Sequence, residues 1–131
     1  MNKLAGKKNR PYGYELILDL HNCDEKKFNR TSLRKYLAKT CKAIDMERCE
    51  LYFWDDYGVP AEEKQTSPLT KGTSAVQFIL TSTIVIHTLD LMKAVYINIF
   101  SCKPFNKKIA TQITREWFAA KKCKTHFIER I

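Results

Sequence analysis

Gly72-Thr-Ser-Ala-Val-Gln-Phe-Ile-Leu-Thr-Ser-Thr-Ile-Val-Ile-His-Thr-Leu89, followed after a short break by Ala94-Val-Tyr-Ile-Asn-Ile-Phe-Ser-Cys102, decides how this chain folds. Its β-branched and aromatic residues read as three strands, at Ser74–Leu80, Thr83–Leu89 and Ala94–Ser101. A turn over Asp90–Lys93 makes the last two a hairpin centred between Leu91 and Met92. Paired residues then have numbers adding to about 183, and Cys102 falls opposite Thr81, beside Ser82. Ser82 and His87 have opposite parity, so a regular strand sends them to opposite faces. For the two to act together the chain must bulge or break near Ser82, and such a break is expected.

Outward from this stretch, Tyr14–Leu20 alternates as a half-buried strand. Thr31 or Ser32 caps a helix to about Ile44, with Leu33, Tyr36, Leu37 and Cys41 as its apolar stripe. Glu50–Trp54 is a further strand, and Asp55–Lys71 a long, charged, mobile loop. Beyond Pro104, with Asn106 as cap, Ile109, Ile113, Trp117 and Ala120 recur at helical spacing. Lys121 and Lys122 suit the C-terminal dipole of that helix. Thr125–Ile128 closes the chain as a strand. The order predicts an α+β two-layer sandwich: a mostly antiparallel sheet packed by two helices on one face. Residues 13–131 form one domain, and residues 1–12 a basic flexible arm.

Composition narrows the function. The 131 residues carry a formal net charge of +9, but the basic residues are dispersed in pairs. That argues for a solvated surface and against nucleic acid as a partner. No stretch approaches the length of a membrane span, and no signal-peptide pattern follows the basic N-terminus; a cytoplasmic protein is expected. The five cysteines form no Cys-x-x-Cys pair, which fits neither a disulfide framework nor a zinc site. No metal is expected.

Ser82, His87 and Cys102 place a hydroxyl, an imidazole and a thiol along one apolar stretch, a set able to supply a nucleophile, a base and an acid. Each also has a plain reading: a strand-end hydroxyl bonded to backbone, a satisfied histidine, and inert packing. His21 and His126 point to nothing in particular.

The spacing of the three residues resembles that of the prokaryotic-type S-adenosylmethionine decarboxylase proenzymes: a serine, a histidine five later, a cysteine fifteen beyond. Ile86-His-Thr88 resembles the histidine motif of that family, Asn98-Ile-Phe-Ser-Cys102 its cysteine segment, and Gly72-Thr-Ser74 its upstream Gly-x-Ser. Leu16-Ile-Leu-Asp-Leu20 resembles its opening strand.

The resemblance implies self-processing, with cleavage between Thr81 and Ser82. Ser82 attacks the Thr81 carbonyl, Ser74 steadies the tetrahedral species, and His87 takes the α-proton of residue 82. Residue 82 becomes a pyruvoyl group, the cofactor, which forms a Schiff base with the substrate amine and acts as electron sink. Cys102 supplies the proton that replaces the carboxylate. The product is a homodimer of cleaved chains, a lyase of polyamine (spermidine) biosynthesis acting on S-adenosylmethionine.

This chain departs from the pattern at Thr81 and Thr83, where the family has Glu and His, and at Leu89 and Leu91, where it has an aromatic and an acidic residue. It also lacks the family's aromatic near Pro68. Phe53, Trp54 or Tyr57 can supply stacking instead, and Asp55, Asp56 or Asp90 a carboxylate. Asp55, Asp56, Glu62 and Glu63 also leave open a basic substrate, arginine or ornithine. A non-catalytic relative that acts as a binding protein is the remaining alternative.

Overall fold

The computed structural model describes residues 10–131; most of the expected N-terminal arm lies outside them. Eight main elements follow in order: β1 (Gly13–His21), α1 (Arg30–Ala43), β2 (Arg48–Trp54), β3 (Gly72–Ile79), β4 (Ser82–Leu89), β5 (Ala94–Ser101), α2 (Lys107–Trp117) and β6 (Lys122–Arg130). The strands form one six-stranded sheet in the order β2-β3-β4-β5-β1-β6. Every neighbouring pair is antiparallel. Both helices cover one face, as the sequence predicts, because one face of each strand carries the apolar residues.

β4 and β5 pair Thr83 with Phe100, Ile84 with Ile99 and Ile86 with Ile97, so partners add to 183. Inward-facing Ile84, Ile86, Ile97 and Ile99 are buried against Leu16, Leu18 and Leu20 of β1. α1 lays Leu33, Tyr36, Leu37 and Cys41 on this surface. Its cap is Asn29, whose side chain accepts the Ser32 N–H at 2.8 Å, so the helix starts earlier than Thr31.

The apolar stripe of α2 differs from expectation. Ala110 and Thr114 are its buried residues, followed by Phe118 just past its end, while Ile109 is exposed. The cause is α1, which lies alongside. The Tyr36 hydroxyl meets Thr114 Oγ1 at 2.5 Å and Trp117 Nε1 donates to Ser32 Oγ at 3.0 Å, which rotates the buried face toward the neighbour. The helix also stops at Trp117, so Lys122 belongs to β6 rather than to a helix terminus.

Phe118 is fully buried with its ring 5.2 Å from that of Tyr36 and 6.2 Å from that of Phe28. Burial pushes the Tyr36 phenol up to about 12. Phe118→Ala is expected to cost about 3–5 kcal/mol, through lost transfer energy and a cavity between the helices. A guanidinium unfolding midpoint lowered at unchanged slope is the check.

The long segment between β2 and β3 is tied down. Arg30 donates two hydrogen bonds to Asp55, at 2.8 and 2.6 Å, and the Gln65 N–H reaches Asp56 at 2.7 Å. Among the described residues the other face of the sheet carries no helix.

Candidate active site

β3 and β4 are joined by Leu80 and Thr81, with Ile79 and Ser82 the last pair before the turn. Thr81 has φ 53°. A β-branched residue in the left-handed region is strained, by about 1–3 kcal/mol, and the strain sits on the residue whose carbonyl precedes Ser82.

Around this turn three side chains meet. Ser82 Oγ accepts the Cys102 N–H at 3.1 Å and its own proton points to Cys102 Sγ at 3.8 Å. Thr81 Oγ1 lies 3.2 Å from the same sulfur and 2.7 Å from the Leu80 carbonyl. The hairpin register dictates this contact, since Cys102 extends β5 opposite Thr81. A cavity of about 360 Å³ opens here, lined by Leu80, Thr81, Ser82, Cys102, Lys103 and Asp45 among others.

Chiefly through the Thr81 hydroxyl, Cys102 has its thiol held below the usual range; Ser82 and the Lys103 charge add to this. Burial works the other way elsewhere, lifting Cys23 and Cys41 to about 11 and raising Cys123. All five cysteines are free. Cys102 is set apart by chemistry as well as by spacing.

His87 is not at this turn. Its Nδ1 shares a 2.6 Å hydrogen bond with Ser74 Oγ, and the two residues are direct partners across β3 and β4. The expected break near Ser82 is absent: β4 is paired on both sides without a register shift. A bulge in a central strand forfeits ladder bonds on both flanks, so the parity rule holds. Ser82 points inward and is buried, and His87 points outward and is exposed. Five residues of strand, about 17 Å, separate them. Ser74, expected beside the scissile carbonyl, is at the His87 end of this chain.

The outward face around His87 is a row set by register: Trp54, Ser74, His87, Tyr96, Asp19 and Lys124, each opposite the next on six adjacent strands. Sequence reasoning did not assemble this row, although the same hairpin sum that pairs Thr81 with Cys102 pairs His87 with Tyr96.

The family model for S-adenosylmethionine decarboxylase matches residues 14–131. The chain belongs to the S-adenosylmethionine decarboxylase family. The crystal structure of the adenosylmethionine decarboxylase from Aquifex aeolicus VF5 is similar to it in fold, at 17% identity, a TM-score of 0.71 and 92% of each chain. No curated protein matches it.

Within this decarboxylase-family fold the other sequence candidates sort by position. Trp54 is exposed in the His87 row. Phe53 packs on the core beneath the Arg30 and Arg34 guanidinium groups, and Tyr57 sits against Arg30. Asp55 is held below the usual carboxylate range by the Arg30 hydrogen bonds and is consumed in that ion pair. Asp90 lines a separate cleft of about 610 Å³ near the N-terminus of α1. Burial raises its carboxyl, and its Oδ1 has no hydrogen-bond partner. Glu62 and Glu63 are exposed in a short 3₁₀ turn.

Proposed function

We propose that this chain is a self-processing, pyruvoyl-dependent decarboxylase of polyamine synthesis, with S-adenosylmethionine as its substrate and a homodimer as its working form. The observation that carries the reading is the contact of Ser82 Oγ with the Cys102 thiol, directly after the strained residue Thr81.

In the processing step the Ser82 hydroxyl oxygen adds to the Thr81 carbonyl carbon. The peptide C–N bond breaks, the amine takes a proton, and an ester replaces the amide. Loss of the residue-82 α-proton expels Thr81 as a carboxylate. Water then replaces the nitrogen, which leaves as ammonia, and residue 82 ends as a pyruvoyl group. The surroundings fit that group. β4 is paired with β3 from Ser82 onward and with β5 from Thr83, so the cut opens only a two-residue turn and the new N-terminus stays beside Cys102. When present, such a group withdraws electrons from the substrate as carbon dioxide leaves. Cys102, with its thiol next to residue 82, is the group positioned to return a proton to the substrate carbon.

His87 enters through a second protomer. The uncovered sheet face carries Val76, Phe78, Val85, Phe100, Ile17 and Ile128, of which Phe78 is 44% and Ile128 42% exposed. Faces of this kind bury themselves against another sheet about 10 Å away. A two-fold axis running across the strands between two such faces lays β4 over the partner's β4 in reverse. The Leu80–Thr81 turn of one protomer then lies over the partner's His87 and the partner's Ser74. The Ser82 side chain is on the inner side, so the partner's imidazole approaches residue 82 from the face opposite the hydroxyl.

A basic amino acid as substrate is less well supported, because Asp55 is paired with Arg30 and Asp56 accepts the Gln65 N–H. The denatured mass of the purified protein is the test. Two chains, residues 1–81 and 82–131, the second blocked to Edman sequencing and reactive toward carbonyl reagents, are expected. One intact chain after long incubation would leave a binding-only relative.

A further inference from the structure

We infer that Cys102 is the base that starts self-cleavage in this chain, and that the Thr81 hydroxyl is the positioning group that holds its sulfur for the task. The inference rests on the processing reading above and gives Cys102 a role before turnover begins.

The argument is one of reach. The Ser82 proton must go somewhere as Oγ attacks. His87 of the same protomer is about five strand residues away on the opposite face, and in the proposed dimer the partner's His87 approaches from the outer side, away from the inward Ser82 hydroxyl. Cys102 Sγ is the acceptor to which that proton already points, at 3.8 Å. The Cys102 N–H, 3.1 Å from Ser82 Oγ, steadies charge as it grows on that oxygen. The thiol so formed faces residue 82 and is the group to protonate its nitrogen as the amine departs. The proton moves from Oγ to Sγ to nitrogen, and the thiolate is regenerated.

Thr81 is a functional departure rather than a neutral one. Its hydroxyl has one proton and two acceptors in range, the Leu80 carbonyl at 2.7 Å and Cys102 Sγ at 3.2 Å. When the sulfur is neutral the proton serves the carbonyl. When it is a thiolate the proton turns to it, a charge-assisted bond that favours the ionised form. The charged residues lining the same cavity are Lys103, Asp45 and Glu47. Lys103 Nζ is 3.6 Å from the Asp45 carboxylate, so these two charges largely offset each other. The hydroxyls of Thr81 and Ser82 are left as the main local influence on the thiol, in accord with its lowered range.

The test is the first-order rate of precursor cleavage as a function of pH, read by denatured mass. For the native sequence the rate should rise with pH through the titration of a thiol, with a midpoint below that of an ordinary cysteine. Cys102→Ala should slow cleavage about 100-fold and flatten the profile. Cys102→Ser keeps a hydrogen-bonding side chain of similar size and should be as slow, which separates the base from a packing role. Thr81→Val should move the midpoint up and slow cleavage several-fold at neutral pH, and Thr81→Ser should restore both. Site-resolved alkylation of Cys102 in the uncleavable Ser82→Ala chain should show the same upward move on adding Thr81→Val. Cleavage of the Cys102 variants at the native rate and with the native pH profile would overturn this inference alone. A native chain that never cleaves would overturn the processing reading and this one with it.

Discussion

Ser82→Ala leaves a single intact chain and no decarboxylation: this is the largest effect the structure predicts. The substitution removes one oxygen. In the proposed function that oxygen is the nucleophile that opens the Thr81–Ser82 peptide, and the residue bearing it becomes the electron sink. Activity should therefore fall by the full catalytic acceleration, on the order of 10⁶-fold or more, rather than by the factor of a lost contact. The fold should survive. The change deprives the Cys102 N–H of the Ser82 oxygen that accepts it, at a cost of about 1–3 kcal/mol. A denaturant melt with a slightly lowered midpoint, a mass spectrum with one chain and no carbon dioxide release form the expected set. Release of carbon dioxide by the uncleaved variant would remove Ser82 from the chemistry.

Much of this arrangement was legible in the sequence because a hairpin obeys arithmetic. Once the turn is centred between Leu91 and Met92, the pairing of β4 with β5 is fixed, and Cys102 must meet Thr81 and Ser82. Parity fixes equally that Ser82 and His87 face apart. The error was the expected break near Ser82, which a central strand paired on both sides does not tolerate. The buried stripe of α2 was misjudged for a different reason. Periodicity finds an apolar face, but only the neighbouring α1 decides which edge of it is covered, and Tyr36 and Ser32 draw Thr114 and Trp117 inward at the expense of Ile109. β6 extends well beyond Thr125–Ile128 because an edge strand interleaves Lys122, Lys124, Glu129 and Arg130, which hide its alternation. The row from Trp54 to Lys124 spans strands remote in sequence, so no local pattern announces it.

The second large effect concerns His87, and it separates a one-chain site from a shared one. His87→Ala alone should leave the precursor almost wholly uncleaved, since the Cα–H of residue 82 then has no base. Ser82→Ala alone is uncleavable. Co-expressed, the two dead chains should restore cleavage, because a mixed dimer of the proposed kind has one site that joins Ser82 of the His87→Ala chain to His87 of the Ser82→Ala chain. Only the His87→Ala chain can be cut, and with random pairing about a quarter of all chains should be. The two proteins differ in mass, so one spectrum reads both the amount and the identity of what is cleaved. The outcome tests geometry as well as chemistry. Two protomers stacked with their Ser82 ends together, or joined edge to edge, leave His87 as far from Ser82 as it is within one chain, and mixing then recovers nothing. Cleavage of the Ser82→Ala chain has no route at all. Recovery confined to the His87→Ala chain would therefore require what the bare sheet face and the opposed directions of Ser82 and His87 already suggest: hydroxyl and thiol act from one protomer, and the imidazole reaches the same residue from the other.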